Sequence, residues 1–295
     1  MIISASRRTD IPAYYSAWFM NRIRRGFAFT RTPFRPSQTT RVSLEPPDVD
    51  GIVFWTRNAD PLIPYLDELD GMGFRYYFQY TLVHYPRVFE SSPGSISLKI
   101  ERFKRLSGRV GASRIIWRYD PIILSSLTDQ RYHHDTFGEI AEALSGFTCR
   151  CVISFLDIYP KRMKTLKHLE RGKDIIVTDI HDQEGQVGDL PKFIGEIGGN
   201  HGFEVVTCAE PFDLEAFGIG HGKCIDDELL NRLFGLDLSI SKDRGQRKLC
   251  RCVESTDIGA YDTCPQGCIY CYANSTPKAA QKNFHGHNPA RPLLP

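Results

Sequence analysis

Residues 51–82 read GIVFWTRNADPLIPYLDELDGMGFRYYFQYTL, and this stretch decides the fold class. It begins and ends with apolar and aromatic runs, 51–56 and 75–82, which are typical of strands buried on both faces of a parallel sheet. Between the runs, three leucines and a terminating glycine have the spacing of one helical face: Leu62, Leu66, Leu69 and Gly71. The stretch therefore predicts a strand, a helix and a second strand.

The same alternation continues on both sides of this stretch. Strands are predicted at residues 2–6, 51–56, 75–82, 114–119, 151–156 and 203–207. Helices are predicted within 12–26, 61–69, 97–106, 128–146, 191–197 and 226–234. Thr128 is the expected N-cap of the fourth helix, and residues 84–97 are expected to form a long loop. This alternation predicts a parallel α/β fold, either a (β/α) barrel of the TIM type, complete or partial, or a doubly wound sheet.

Three segments of different character are expected within this fold. Residues 1–245 carry the strand–helix alternation and are expected to form the barrel-type domain. Residues 246–275 are rich in cysteine and should pack on that same domain. Residues 276–295 are polar, contain several prolines and lack periodicity, so they are expected to form an extended tail.

The composition bears on the class and the cellular location of the protein but does not indicate its activity. The chain of 295 residues is 41% hydrophobic, and its net charge of +2 gives no general excess of basic residues for nucleic acid. No apolar run is long enough to cross a membrane, and the first residues lack the apolar stretch of a signal peptide. We therefore expect a cytoplasmic protein whose nine cysteines are reduced, and clustered reduced cysteines indicate metal binding or catalysis.

Polar side chains follow the predicted strands. In parallel α/β folds the carboxyl ends of the strands surround the active site, so these residues are candidates for binding a cofactor or substrate. Arg7, Arg8 and Arg118 offer guanidinium groups to an anion such as a carboxylate or phosphate. Asp157 and Glu210 offer carboxylates to an amino or hydroxyl group. The sequence assigns no catalytic residue.

Three closely spaced cysteines, Cys264, Cys268 and Cys271, are the strongest chemical signal, and we call them the trio. Thiolates from one loop can hold a [4Fe-4S] cluster, and three of them leave one iron open. A zinc site that also uses Cys250 or Cys252 is the alternative, because structural zinc accepts four thiolates. The residues alone do not decide between an iron–sulfur cluster and a zinc ion.

The trio resembles the signature of the radical S-adenosylmethionine (SAM) superfamily, in which cysteines are separated by three and then two residues. Tyr270 occupies the aromatic position before the last cysteine. The resemblance implies a [4Fe-4S] cluster on the trio, SAM on its open iron, and an electron donor such as flavodoxin or ferredoxin. It further implies cleavage of SAM to a 5′-deoxyadenosyl radical, acting on an unknown small molecule, nucleic acid or peptide. The candidate residues at the strand ends would then bind SAM.

The trio's place in the chain departs from that superfamily, where the motif follows the first strand of a partial α/β barrel. Here the motif follows about six strand–helix units. A circular permutation accounts for this, with a short strand near 256–259 taking the place of the usual first strand. The usual glycine-rich SAM-binding segment of that superfamily is not evident, and residues 4–10 (SASRRTD) lie where it would be expected.

The whole chain also resembles an uncharacterised prokaryotic family described only as a domain of unknown function. Its members begin with the segment found here at 4–12 and end with a cysteine cluster likened to that of radical SAM proteins. This resemblance implies no known reaction.

Four further cysteines, Cys208, Cys224, Cys250 and Cys252, form a possible second site, and we call them the quartet. Four thiolates could close a second iron–sulfur cluster or a zinc site. Alternatively, Cys208 and Cys224 are small buried apolar residues. The expected function is a radical SAM-like enzyme, and the alternative is a non-catalytic iron–sulfur or zinc protein used for electron transfer or structural support.

Overall fold

The computed structural model describes residues 1–32, 35–91, 94–180 and 187–295. Eight parallel strands form one sheet in the order β10-β1-β4-β5-β6-β7-β8-β9. These strands are β1 (Ile2–Ala5), β4 (Gly51–Thr56), β5 (Tyr76–Thr81), β6 (Ile115–Ile122), β7 (Arg150–Phe155), β8 (Glu204–Thr207), β9 (Gly220–His221) and β10 (Thr256–Asp257). The parallel α/β fold predicted from the sequence is confirmed. Among the described residues β10 and β9 remain as two ends of the sheet, so a closed barrel is not formed.

Nine α-helices lie among the described residues. They are α1 (Ile11–Tyr14), α2 (Ser16–Arg25), α3 (Leu66–Gly71), α4 (Ile96–Val110), α5 (Gln130–Leu144), α6 (Pro160–Lys173), α7 (Leu190–Asn200), α8 (Asp227–Phe234) and α9 (Pro277–His285). None of these helices combines the length and apolarity required to cross a membrane. An antiparallel hairpin of β2 (Phe27–Thr32) and β3 (Arg35–Ser43) stands beside the sheet and was missed by the sequence analysis.

The two faces of the sheet have different cores. On β4, Ile52 and Phe54 point into the large core with α2, α4, α5 and α7, which we call the helix-covered face. Val53 and Trp55 point to the second face, where α8 supplies Leu230. Because both faces bury apolar side chains, the strands read as continuous apolar runs rather than alternating ones.

The observed ends of α5 and α2 can be compared with the ends predicted from the sequence. Asp129, rather than the predicted Thr128, caps α5, because its carboxylate accepts a hydrogen bond from the backbone N–H of Tyr132. Thr128 is instead fully buried and donates to the carbonyl of Ile123. Gly26 ends α2 in the left-handed region at φ 70°, as the sequence predicts.

The tail predicted to be extended is instead helical and packed. Helix α9 begins after Thr276, whose hydroxyl accepts from the N–H of Ala279. Its Phe284 packs edge-on against Tyr14 and Tyr15, while the indole of Trp18 donates to the carbonyl of Arg291. The prediction of an extended tail is therefore wrong. Contacts with distant residues stabilise this segment, and the local sequence pattern of the tail does not reveal them.

The short strand β10 brings a late segment of the chain next to the first strand. It pairs in parallel with β1, with Ile3 opposite Thr256 and Ser4 opposite Asp257. The segment carrying the trio follows directly, so its cysteines lie near the carboxyl ends of β1 and β4. Of the predicted loop at 84–97, residues 92–93 lie outside the described part of the chain.

Candidate functional site

One carboxylate organises the loops that leave β10 and β1. Asp257 accepts hydrogen bonds from the hydroxyls of Ser4 (2.8 Å) and Ser6 (2.7 Å) and from the backbone N–H groups of Arg7 and Gly259 (both 2.9 Å). It is therefore saturated with donors from both loops. The arginine-bearing loop after β1 and the cysteine-bearing loop after β10 are fixed to the same group.

The loop that carries the trio is held from several sides. The hydroxyl of Tyr15 donates to the carbonyl of Thr263 (2.6 Å), and Asn274 donates to the carbonyl of Cys264 (2.7 Å). Within the motif, Gly267 has φ 80°, and a Cβ there would lie 2.1 Å from the hydroxyl oxygen of Ser91. Glycine is required at this position both by the backbone and by the close neighbour.

A buried charged pair supports the trio from behind. Glu90 is fully buried and accepts hydrogen bonds from Arg57 (2.5 Å) and from the hydroxyl of Tyr270 (2.6 Å), the aromatic residue of the cysteine motif. Lys99 lies 3.5 Å from the same carboxylate. Arg57 also donates from its backbone N–H to Asp10 (2.8 Å). The motif is thus anchored to charged residues that follow β1 and β4 and to the loop before α4.

Burial acts on two thiols of the trio, Cys264 and Cys268. Burial raises the pKa of Cys268 to about 12 and moves the pKa of Cys264 above its usual value as well. Burial likewise raises the pKa of Asp10 to about 6. Burial also acts to raise the pKa of Glu90, yet Arg57 and Lys99 outweigh it and hold that pKa below its usual value. A metal that binds Cys264 and Cys268 must therefore displace the protons of these two thiols.

As the side chains stand, no group of three or more histidine, cysteine, aspartate or glutamate residues in the described ranges is placed to hold a metal ion. The trio shares one short loop and its members are half-buried. Ligation would therefore need the three sulfurs to turn toward one point.

The quartet gathers on the second face of the sheet. The sulfurs of Cys208 and Cys224 are 3.4 Å apart, and the sulfur of Cys252 accepts from the backbone N–H groups of Cys224 (3.3 Å) and Ile225 (3.4 Å). Hydrogen bonds from the thiols of Cys224 and Cys250 hold the pKa of Cys252 far below its usual value. These contacts bring together all four quartet cysteines.

Two arginines and a tryptophan lie next to the quartet. The guanidinium carbons of Arg7 and Arg118 are 5.5 and 5.0 Å from the centre of the Trp55 ring, so both cations lie within cation–π distance of this ring. Arg118 donates to the sulfur of Cys224 (2.9 Å), and Arg7 contacts the sulfur of Cys252. Within the described part of the chain, Nη2 of Arg7 and Nε1 of Trp55 are buried without a hydrogen-bond partner. Such donors are suited to a bound acceptor.

The other cofactor-binding candidates are distributed around this region. Arg118 is paired with Asp120, and Asp157 is paired with Arg247. Glu210 accepts from the backbone of Phe155 (2.9 Å), while its Oε2 has no hydrogen-bond partner among the described residues.

Burial raises the pKa of Glu210 to about 8, with Asp157 and Asp120 adding to the effect. Arg8 points away from this group, over the ring of Tyr261 at 5.3 Å. The structure thus brings Arg7 and Arg118 together with the quartet, places Asp157 and Glu210 beside it, and separates Arg8.

Several residues of the site were not assigned from the sequence. Asp10 and Arg57 follow strands and were visible as polar residues at strand ends, but nothing distinguished them from capping residues. Glu90 and Trp55 gave no signal, because one lies in a predicted loop and the other in an apolar strand. Asp257 lies in a strand of only two residues.

Comparisons with known proteins give a family and no function. The family described as Domain of unknown function (DUF1848) matches residues 2–273. No curated protein and no solved structure matched the chain. The match spans every strand of the sheet, the quartet and the trio, and the chain therefore belongs to the DUF1848 family.

Proposed function

We propose that the protein is a radical SAM-like enzyme that holds a [4Fe-4S] cluster on Cys264, Cys268 and Cys271. The carrying observation is the position of the trio directly after β10, which pairs in parallel with β1 at the edge of the sheet. Along the chain, the trio comes after every strand of the sheet. Within the sheet, however, β10, the strand before the trio, is the first strand at one edge, next to β1. This arrangement supports a circularly permuted partial barrel, with β1 as the second strand.

The residues present fit the group. Three cysteines on one loop match the ligands of a cluster with an open iron, and no carboxylate or histidine is needed from elsewhere. Two buried donors beside the quartet, Nη2 of Arg7 and Nε1 of Trp55, have no acceptor within the described residues, and the loop of Arg7 is tied through Asp257 to the loop that leads to the trio. When bound, the cluster would take SAM on its open iron and supply the electron that cleaves it to a 5′-deoxyadenosyl radical.

The remaining tasks belong to the chain's own side chains. Arg7, held in place through its backbone by Asp257, presents a guanidinium to the carboxylate of SAM. Glu210 presents Oε2 to an amino or hydroxyl group. Tyr270 ties the motif to the buried pair of Glu90 and Arg57, which fixes the loop against the sheet.

The proposal is tested by anaerobic reconstitution with iron and sulfide, followed by reduction in the presence of SAM. The expected result is protein-dependent formation of 5′-deoxyadenosine. A stable cluster that leaves SAM intact would instead support a non-catalytic iron–sulfur protein. Uptake of zinc alone, without iron, would reject both iron-based functions.

The substrate and the electron donor are then sought with the reconstituted protein. Flavodoxin and ferredoxin are the donors to compare with chemical reduction. Small-molecule, peptide and nucleic-acid pools are the substrates to compare, since the arginines accept any anionic group. A protein-dependent change in one pool would identify the substrate class.

A further inference from the structure

The quartet comes from three segments that are distant in sequence. Cys208 follows β8, Cys224 lies between β9 and α8, and Cys250 and Cys252 lie between α8 and β10. Their convergence is held by the second face of the sheet. Tyr77 and Gln79 of β5 both donate to the carbonyl of Cys224, at 2.7 and 2.8 Å. The position of this cysteine is therefore fixed by buried hydrogen bonds rather than by apolar packing alone.

We propose that Cys208, Cys224, Cys250 and Cys252 together form a second, fully ligated metal centre, with four thiolates around either a single zinc-type ion or an iron–sulfur cluster. This site is separate from the trio and leaves no open position for a substrate. Zinc and [4Fe-4S] share the chemistry that a four-cysteine site provides.

As the side chains stand, the four sulfurs are not placed around one point, but the one sulfur–sulfur distance between Cys208 and Cys224 is close to that of a tetrahedral site. With metal–sulfur bonds of about 2.3 Å, ligand sulfurs on a tetrahedron lie about 3.8 Å apart. The sulfurs of Cys208 and Cys224 are 3.4 Å apart. A bound ion therefore needs to separate them by only about 0.4 Å. An iron–sulfur cube holds its ligands further apart, so the observed contact favours a single ion.

Charge supports the same conclusion. Four thiolates around a divalent centre carry a net charge of about −2. Arg118 donates to the sulfur of Cys224 at 2.9 Å, and Arg7 contacts the sulfur of Cys252. Arg118 also pairs with Asp120, so its charge is shared. The backbone N–H groups of Cys224 and Ile225 add two donors to the sulfur of Cys252. These donors stabilise thiolates, which isolated buried thiols do not require.

Two simpler explanations of the quartet predict different contacts for its cysteines. The quartet cysteines do pack in a cluster with aliphatic side chains such as Val53 and Leu230, as small apolar residues would, but that role requires neither the contact between the sulfurs of Cys208 and Cys224 nor a guanidinium donor. If Cys208 and Cys224 formed a disulfide, their sulfurs would approach to about 2.05 Å, and Cys250 and Cys252 would remain as free thiols. Both alternatives leave the protein without a second metal.

The test removes the first site so that the second can be measured alone. The variant Cys264→Ala/Cys268→Ala/Cys271→Ala is purified without oxygen, and its zinc and iron contents are measured together with alkylation of the remaining thiols. We expect one zinc-type ion or one cluster per chain, with the quartet protected from alkylation and Cys149, which is exposed, fully reactive. Because the trio is absent, failure of the proposed radical chemistry cannot affect this result.

A matched pair of further variants assigns the metal. Adding Cys252→Ser to the triple variant should remove the metal, whereas adding Cys149→Ser should leave it in place. X-ray absorption at the zinc edge of the wild-type protein gives an independent readout if a variant fails to fold, with sulfur as the expected neighbour, because iron at the trio does not contribute to that edge. Absence of metal from the folded triple variant, or a disulfide between Cys208 and Cys224, would overturn the proposal.

Discussion

The trio and the quartet are both groups of cysteines near the ends of the strands, but they are assembled in different ways. The trio is local: its sulfurs come from one loop held by Tyr15, Asn274 and Tyr270. The quartet is brought together by the tertiary fold, from segments after β8, after β9 and before β10. The charged neighbours also differ, because an ion pair of Glu90 and Arg57 stands behind the trio, whereas the two arginines Arg7 and Arg118 lie next to the quartet.

This difference separates two roles. A local loop with half-buried cysteines can accept a cofactor and expose one side of it, while a cross-linked group on a buried face stabilises the structure. The predictions that follow test this division, from the largest expected effect to the smallest.

Replacing one cysteine of each group should give opposite results. Cys268→Ala is expected to abolish formation of 5′-deoxyadenosine and to leave the thermal unfolding midpoint almost unchanged, because the loop lies at the edge of the sheet. Cys252→Ser is expected to leave the iron of the trio in place and to lower the unfolding midpoint, because three segments lose their shared ligand. Cys149→Ala is the control for both. SAM cleavage retained by Cys268→Ala would contradict the assignment of the trio.

Removing the buried carboxylate should destabilise the protein strongly. Glu90→Gln leaves Arg57 and Lys99 without their partner in a buried setting, and such a change typically costs about 3–5 kcal/mol of unfolding free energy. Denaturant unfolding of the metal-free protein measures the effect. A loss as small as that of an exposed ion pair would show that Glu90 does not hold the trio's loop.

Acid should destabilise the scaffold independently of either cysteine group. His133 is fully buried on the helix-covered face, where its ring contacts the hydroxyl of Tyr119 and the carbonyl of Ile123. Burial lowers its pKa from 6.5 to about 4. Between these values the unfolded chain binds a proton that the folded protein does not, so stability falls as the pH falls. The shift corresponds to about 3 kcal/mol between pH 6.5 and pH 4.

The pH dependence is measured by denaturant unfolding of the metal-free protein across this range. His133→Gln provides the comparison, because it lacks the titrating group and retains an amide for hydrogen bonding. The variant should lose less stability than the wild type as the pH falls. Equal pH dependence in the two proteins would show that acid acts through other groups.

The smallest effect is expected from the aromatic residue of the motif. Tyr270→Phe removes hydrogen bonds to Glu90 and Arg57 but leaves those two residues paired with each other. We expect a loss of about 1–2 kcal/mol in unfolding free energy and retention of the cluster. Iron content and denaturant unfolding together test this. Loss of the cluster would show that the hydroxyl, and not only the cysteines, is required for assembly.

Much of the sheet could be predicted from the sequence, because its strands are apolar on both faces. The predicted strand at 51–56 has the observed bounds, and the short strand expected near 256–259 corresponds to Thr256–Asp257. The trio was visible from spacing alone. These features depend on local pattern, which a sequence displays directly.

The features that were missed depend on contacts between distant residues. Glu90 is a member of the site only because its loop packs against the cysteine motif, and Phe284 gives α9 its place only through Tyr14 and Tyr15. The quartet was suspected from residue type, but its convergence required the fold. The sequence pattern of a single segment does not reveal contacts between residues that are distant in the chain.

The junction of β1 with β10 has a consequence for the order of events during synthesis. The edge of β1 and the loop at Arg7 remain without their partner until residues 256–257 have left the ribosome. The pairing at this edge of the sheet is therefore completed by some of the last residues of the matched region to be made. Because Cys264, Cys268 and Cys271 come after β10 in the chain, a metal can bind all three only late in synthesis.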